Sequence, residues 1–142
     1  MKVSYIDKIF ADDLPTQFTP LLIEKVPVGF PSPANDYLET PIDLNKYLIK
    51  NPTATFLVRA SGDSMIGINI GDQAVLVVDR SIKPTHNSVV VASLDGDFLC
   101  KKLQMKPRIA LISENPNYPP VYIGYGQDLN IIGTVTAAIN KF

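Results

Sequence analysis

The chain is poor in the residues that many enzymes use for chemistry. Its 142 residues include one cysteine, one histidine and no tryptophan. A single cysteine, Cys100, excludes an internal disulfide, and Cys100 with His86 provides too few ligands for a Cys/His zinc site. A Ser-His-Asp triad would depend on His86 alone, and His86 lies in a loop pattern that favours a solvated side chain. We therefore expect no metal and no cofactor, and we expect Cys100 to pack in the core.

Charge of one sign and long apolar runs are also scarce. Thirteen basic residues are balanced by 14 acidic ones, for a net charge of −1. This balance excludes a strongly basic protein that follows nucleic-acid phosphates, so no direct high-affinity DNA binding is expected. No apolar run approaches the roughly 18 residues that a membrane helix needs. Charged residues interrupt the apolar positions of residues 1–13, unlike a secretion signal, and we expect a cytoplasmic protein without membrane contact.

Prolines are abundant and divide the chain. Seven of the 12 prolines lie in the first 52 residues. Proline fixes φ and lacks an N–H, so this stretch excludes a long helix and an interior strand. The pattern predicts an extended N-terminal arm over residues 1–36 and a β-rich domain over residues 37–142. Within residues 41–50 a short helix is predicted, with Thr40 as the N-cap and Asp43 near its N-terminus.

From residue 54 onward the pattern predicts strands. Short runs rich in Val, Ile, Phe and Tyr alternate with turn residues. Asp95-Gly96 between two such runs is typical of a two-residue hairpin. These features favour a mainly β fold of rolled or barrel-like antiparallel sheet with one short helix. The predicted strands are 56–60, 74–79, 88–94, 97–105, 108–113, 121–125 and 131–139.

The strand after the hairpin carries a candidate general base. Alternate residues face opposite sides of a strand, so Lys101 shares a face with Leu99 and Leu103 while Lys102 faces the other side. If the Lys101 face is buried, desolvation disfavours the ammonium and leaves a neutral amine that can accept a proton. The alternative is that Lys101 extends its amine to water, as most lysines do.

A candidate nucleophile lies in the turn after the first of these strands. The stretch Ser61-Gly62-Asp63-Ser64-Met65 interrupts the strand pattern. Gly62 permits an unusual backbone, which could present Ser64 together with backbone N–H groups toward one point. The alternative is that Ser61, Asp63 and Ser64 are ordinary turn residues.

The motif Ser61–Met65 and the later Lys101-Lys102-Leu103 together resemble the LexA/UmuD family of self-cleaving Ser-Lys peptidases. The similarity runs in the family's order from about residue 28 to the C-terminus. Other segments that carry it are Gly29–Ala34, Asp36-Tyr37, Ile42–Asn45, Pro52, Ala54-Thr55, Asp95-Gly96 and Lys101–Gln104. The resemblance implies a LexA/UmuD-like fold.

The resemblance also implies roles for individual residues. Ser64 would be the nucleophile, Lys101 the neutral general base, and the backbone N–H groups of Asp63 and Ser64 the oxyanion hole. The substrate would be the chain's own arm, cut between Val28 and Gly29. The sequence itself supports this position, because Gly29 is the only glycine before Gly62 and lets the backbone approach a catalytic serine closely.

The family resemblance implies partners as well. It implies a bacterial homodimer in the SOS response, self-cleaved with the help of a RecA filament on single-stranded DNA. The product would be the accessory subunit of a UmuC-like Y-family translesion polymerase.

Three alternatives remain open. Val28 is β-branched, and a poor fit before the scissile bond would make the chain a binding subunit with weak or no self-cleavage. A LexA-like repressor is less favoured, because about 28 residues before the cleavage site leave no room for a helix-turn-helix domain. A signal peptidase relative would share the Ser-Lys pair, but the sequence has no membrane anchor pattern.

Overall fold

The computed structural model describes residues 1–5, 19–22 and 39–142. Residues 1–5 and 51–142 form one unit, and residues 19–22 and 39–50 belong to another. The predicted boundary at residue 36 and the Val28–Gly29 bond lie outside the described residues, so the division into an arm 1–36 and a domain 37–142 stays a prediction. In chain order the elements are β1 (Lys2–Tyr5), β2 (Thr19–Leu22), β3 (Glu39–Ile42), α1 (Leu44–Leu48), β4 (Thr55–Ser61), β5 (Val75–Asp79), β6 (Val89–Leu94), β7 (Asp97–Gln104), β8 (Ala110–Ile112), β9 (Val121–Tyr122) and β10 (Leu129–Ile139).

The helix begins later than the sequence predicts. Asp43, not Thr40, is the N-cap, and its side chain accepts a hydrogen bond of 2.9 Å from the backbone N–H of Asn45. Residues 39–42 instead form β3, which pairs with β2 in an antiparallel two-stranded sheet. The predicted helix start at residue 41 is therefore wrong, because strand pairing claims the residues before Asp43.

The larger unit is a rolled antiparallel sheet. Its described strands follow the order β1-β4-β5-β10-β6-β7-β8-β9. Strand β1 also pairs with β7, where Lys2 lies opposite Leu99, so six of these strands close into a ring. The expectation that the first 52 residues hold no interior strand is therefore wrong for β1, because residues 1–5 contain no proline and can pair on both sides. Strands β8 and β9 continue the sheet beyond β7. The predicted mainly β, LexA/UmuD-like fold is confirmed.

The predicted strands after residue 54 are all present, with bounds that differ by up to three residues. The hairpin between β6 and β7 turns at Asp95 and Gly96, which have φ values of 49° and 89°. Positive φ at both positions is what a type I′ turn requires, and it fixes the register of β7 against β6.

Apolar side chains cover both faces of the central strands, so the middle residues of β6 and β7 are buried. One cluster lies against β1, β4 and β5 and includes Cys100 of β7. The other lies between β6, β7 and β8 and includes Leu103. Successive side chains of β7 point to opposite faces, and an apolar cluster covers each face. The side chain of Lys101, which follows Cys100, is therefore buried as well. The packing prediction for Cys100 is confirmed, and burial raises the pKa of its thiol to about 12.

Candidate active site

Ser64 lies in the turn that follows β4. Gly62 has a φ of +97°, which bends the chain away from the strand, and its N–H donates a 2.8 Å hydrogen bond to the Asp72 side chain. The next side chain after Ser64, Met65, is fully buried and anchors the turn in the core. Ser64 is itself only 1% exposed. The turn therefore directs Ser64 into the protein and not toward solvent.

A second glycine brings the Ser64 turn against the segment after β8. The N–H of Gly67 donates a 2.8 Å hydrogen bond to the carbonyl oxygen of Glu114. A Cβ atom at position 67 would lie 2.5 Å from that oxygen, which is closer than any side chain tolerates. Only glycine permits this approach, so Gly67 fixes the distance between the Ser64 turn and residues 113–114.

Lys101 extends from the middle of β7 to Ser64. It lies opposite Val90 of β6 and is 6% exposed. Its Nζ donates a hydrogen bond to Ser64 Oγ at 2.9 Å. The alternative in which Lys101 extends to water is wrong, because Lys101 is buried and its amine bonds to Ser64 inside the protein. Lys102 faces the other side of the strand, where it forms an ion pair with Glu114, as the predicted alternation requires.

Two residues near Lys101 were not identified from the sequence. The hydroxyl of Ser113 accepts a 2.7 Å hydrogen bond from Lys101 Nζ, and the ring of Tyr118 lies 5.5 Å from the same atom. Tyr118 also donates its phenolic hydrogen to the Asp63 carboxylate, and this hydrogen bond raises the pKa of Tyr118. The antiparallel register of β7 and β8 brings Ser113 beside Lys101. The register of β7 and β8 could have identified Ser113 in advance. The connection at residues 105–109 is too irregular for the sequence to fix that register.

The N-terminal residue also reaches the Ser64 hydroxyl. The amino nitrogen of Met1 donates a 2.6 Å hydrogen bond to Ser64 Oγ, and the carbonyl oxygen of Met1 accepts one of 2.8 Å from the Cys100 N–H. Burial lowers the pKa of the Met1 amine from 8.0 to about 5, and the hydrogen bond and charge of Lys101 contribute in the same direction. Two amines thus converge on one hydroxyl, and the proximity of Lys101 disfavours a charge on the Met1 amine.

Comparison with known proteins matches residues 20–136 to the Peptidase S24-like family. The chain belongs to this family. It is 52% identical to protein SamA of Salmonella typhimurium strain LT2 over 130 residues, 89% of each chain. It is 43% identical to protein ImpA of Escherichia coli over 124 residues, 86% of this chain and 83% of ImpA. It is 35% identical to a LexA repressor of Pseudoalteromonas atlantica over 132 residues, 92% of this chain and 63% of the repressor. The resemblance to the LexA/UmuD family is confirmed.

In this S24-like chain the remaining candidates are separate from the Ser64–Lys101 pair. The ring of His86 accepts a 3.0 Å hydrogen bond from the Met105 N–H in an exposed loop contact. Cys100 points into the core on the other face of β7. Across the described ranges, no group of three or more His, Cys, Asp or Glu residues is arranged to hold a metal ion. No helix among the described residues is long and apolar enough to cross a membrane.

The arrangement is suited to proton transfer at a hydroxyl. Ser64 Oγ lies within hydrogen-bond distance of the amine of Lys101, a residue of strand β7. Within the described part of the chain, the backbone N–H groups of Asp63 and Ser64 donate no hydrogen bond. They remain available to an oxygen atom brought to the Ser64 turn.

Proposed function

We propose that this S24-like chain is an autocatalytic serine peptidase that cuts its own peptide bond between Val28 and Gly29. The observation that carries the proposal is the buried 2.9 Å hydrogen bond between Lys101 Nζ and Ser64 Oγ. A serine hydroxyl is a weak nucleophile until an adjacent base takes its proton, and the Lys101 amine is in position to do so. No histidine, metal or cofactor takes part in the proposed reaction.

The proposed reaction begins with neutral Lys101. Ser64 Oγ attacks the carbonyl carbon of Val28 while its proton passes to the Lys101 amine. The oxygen of Val28 gains the negative charge and accepts hydrogen bonds from the N–H groups of Asp63 and Ser64. As the bond to Gly29 breaks, Lys101 returns the proton to the departing nitrogen. Water, deprotonated by the same amine, then attacks the ester carbonyl carbon of Val28. As the bond to Ser64 Oγ breaks, Lys101 returns this proton to the serine oxygen, which restores the hydroxyl and the neutral amine.

Tethering supplies much of the catalytic advantage in this proposal. The arm belongs to the same polypeptide, so effective concentration replaces affinity for a free substrate. Gly29 allows close approach of the backbone to Ser64, and Pro27 favours an extended segment. The β-branched Val28 has the opposite effect, because its side chain must fit beside the serine.

Seating of the arm also requires movement of strand β1. The Met1 nitrogen lies 2.6 Å from Ser64 Oγ, and Ser64 has almost no exposed surface. A carbonyl carbon must come within about 3–3.5 Å of the same oxygen before attack. In the proposed sequence of events, β1 therefore leaves Ser64 before the Val28–Gly29 segment enters.

Three variants test the assignment of Ser64 and Lys101. Purified full-length protein is incubated at alkaline pH, where lysine amines lose their protons, and new N-termini are sequenced. Wild type should yield a fragment that begins at Gly29, whereas Ser64→Ala and Lys101→Ala should each yield none while remaining folded. The matched control Lys102→Ala should cut within about threefold of wild type, because its side chain faces away from Ser64. Normal cleavage by Lys101→Ala would contradict the assignment.

The partners form a further part of the proposal. By its resemblance to the LexA/UmuD family, the chain would act as a bacterial cytoplasmic homodimer in SOS mutagenesis, with cleavage promoted by a RecA filament on single-stranded DNA. After cleavage it would bind a UmuC-like Y-family polymerase as accessory subunit. Adding RecA, ATP and single-stranded DNA should accelerate formation of the Gly29 fragment, and failure to do so would contradict the RecA part.

A second candidate is a binding subunit of the same fold with little or no self-cleavage. The β-branched Val28 and the contact between Met1 and Ser64 both favour it. Val28→Ala separates the two candidates. Faster release of the Gly29 fragment by this variant supports a slow peptidase, whereas no fragment from either protein, even with RecA, supports the binding subunit.

A further inference from the structure

Ser113 is the second partner of the Lys101 amine and has no part in the reaction as proposed so far. We propose that Ser113 is a positioning residue whose hydroxyl holds one N–H of Lys101 and thereby aims the lysine lone pair at Ser64. This inference rests on the proposed peptidase function and adds a residue that acts through Lys101.

The need for such a partner follows from the chemistry of lysine. Its side chain ends on a flexible four-carbon stem, and a neutral amine has two N–H donors and one lone pair. Only the lone pair can take the Ser64 proton. Without a fixed acceptor, the neutral amine would rotate freely and would often point an N–H, instead of the lone pair, at Ser64. A fixed acceptor on a second side removes that rotational freedom.

Ser113 lies where this acceptor is needed. Its Oγ is 2.7 Å from Lys101 Nζ, and Ser64 Oγ is 2.9 Å from the same atom. With Ser113 accepting one N–H, the nitrogen can direct its lone pair toward Ser64. A buried N–H left without an acceptor is costly, so the bond to Ser113 is not readily exchanged for another orientation.

The segment that carries Ser113 is fixed by contacts on both sides of this residue. Strand β8 pairs with β7 so that Leu111 lies opposite Leu103, and both side chains are buried. The residue after Ser113, Glu114, accepts the Gly67 N–H through its carbonyl oxygen. The same short segment therefore contacts both the strand that carries Lys101 and the turn that carries Ser64, as a precise site requires.

An uncharged partner also suits a general base. In the part of the chain that the structure describes, the ion pair of this region joins Lys102 to Glu114, and Lys101 forms none. The nearby Asp63 carboxylate accepts the hydrogen of Tyr118. A carboxylate bonded to Lys101 would strongly stabilise the charged ammonium form. A hydroxyl carries no charge, so it accepts an N–H from the neutral amine without this preference.

The test compares Ser113→Ala with Ser113→Thr, which keeps a hydroxyl at the same place. Cleavage of the full-length chain is followed as a function of pH up to the alkaline plateau, where lysine amines are neutral. Ser113→Ala should lower the plateau about tenfold or more, since small misplacements of reacting groups have large effects on rate. Ser113→Thr should stay within about threefold of wild type. The control Ser93→Ala, a half-buried serine of β6, should leave the plateau unchanged.

Each outcome decides the inference. An unchanged plateau in Ser113→Ala, an equal loss in Ser113→Thr, or a loss matched by a fall in melting temperature would overturn it. If wild type itself does not cut, the proposed function fails, and NMR order parameters of the Lys101 side chain then judge Ser113 separately. Increased Lys101 motion in Ser113→Ala but not in Ser113→Thr supports positioning, and unchanged motion in both overturns it.

Discussion

Lowering the pH from about 8 to about 5.5 should release strand β1 from Ser64. The free amine of Met1 has a pKa of 8.0, and burial beside Lys101 lowers the pKa of the seated amine to about 5. Between about pH 5 and pH 8, the Met1 amine binds a proton when β1 is released and stays neutral when β1 is seated. By linkage, docking of β1 is strongest above pH 8, weakens as the pH falls, and changes no further below about pH 5.

The expected size of this effect follows from the same two values. Each pH unit between them contributes up to about 1.4 kcal/mol, for a limit of about 4 kcal/mol. Screening by water and salt reduces such electrostatic effects, so we expect about 2 kcal/mol in practice. The Asp63 carboxylate opposes part of the shift. The Cys100 thiol stays neutral throughout, because burial raises its pKa to about 12.

Amide hydrogen exchange measures this release directly. The Cys100 N–H is bonded to the Met1 carbonyl oxygen, whereas the Leu103 N–H, farther along β7, is bonded to the Ser88 carbonyl oxygen. After correction for the intrinsic pH dependence of exchange, protection of Cys100 should fall roughly 30-fold, the factor for about 2 kcal/mol, while Leu103 stays protected. Equal protection of Cys100 at both pH values would refute the reasoning, as would a parallel loss at Leu103.

Three further predictions concern substitutions in the larger unit. Gly67→Ala should lower the free energy of unfolding by about 1–3 kcal/mol and slow cleavage, because its Cβ would overlap the Glu114 carbonyl oxygen. Chemical denaturation measures the first effect, and release of the Gly29 fragment measures the second. Val3→Asp should loosen β1 and accelerate cleavage, because Val3 packs against the core, whereas the exposed Ser4→Asp on the same strand should cut at the wild-type rate. Hydrogen bonds lower the pKa of Asp79, so its contribution to stability is present at neutral pH and lost on acidification below about pH 4. The melting temperature of Asp79→Asn should therefore depend less on pH than that of wild type in this range, and equal slopes would contradict it.

Local pattern was sufficient for much of the β fold. Alternation along β7 predicted that Lys101 and Lys102 face opposite sides, and Asp95-Gly96 predicted the hairpin, because both depend on neighbouring residues alone. The helix start was mispredicted at residue 41, with Thr40 as the N-cap, because it depends on a contact between distant segments. Pairing of β3 with β2, a contact between distant segments, decided the conformation of residues 39–42.

The pairing of strand β1 was also not predictable from local pattern, because its partners lie much farther away along the chain. Residues 1–5 contain no proline, but the sequence alone does not show which strands they meet; in the structure they close the ring between β4 and β7. Closure depends on the unpaired edges that the rest of the sheet offers, and those edges exist only after β4 and β7 have folded.

The sequence by itself determined the inventory of this protein: one histidine, one cysteine, and a serine turn and an apolar-flanked lysine as the candidates for chemistry. Tertiary structure alone decided which groups meet. Lys101 and Met1, 37 and 63 residues away from Ser64 along the chain, reach one hydroxyl, and Ser113 joins them through the register of β8. Contacts between such distant residues depend on strand register, on the close approach at Gly67 and on burial of the whole sheet, which no local pattern encodes.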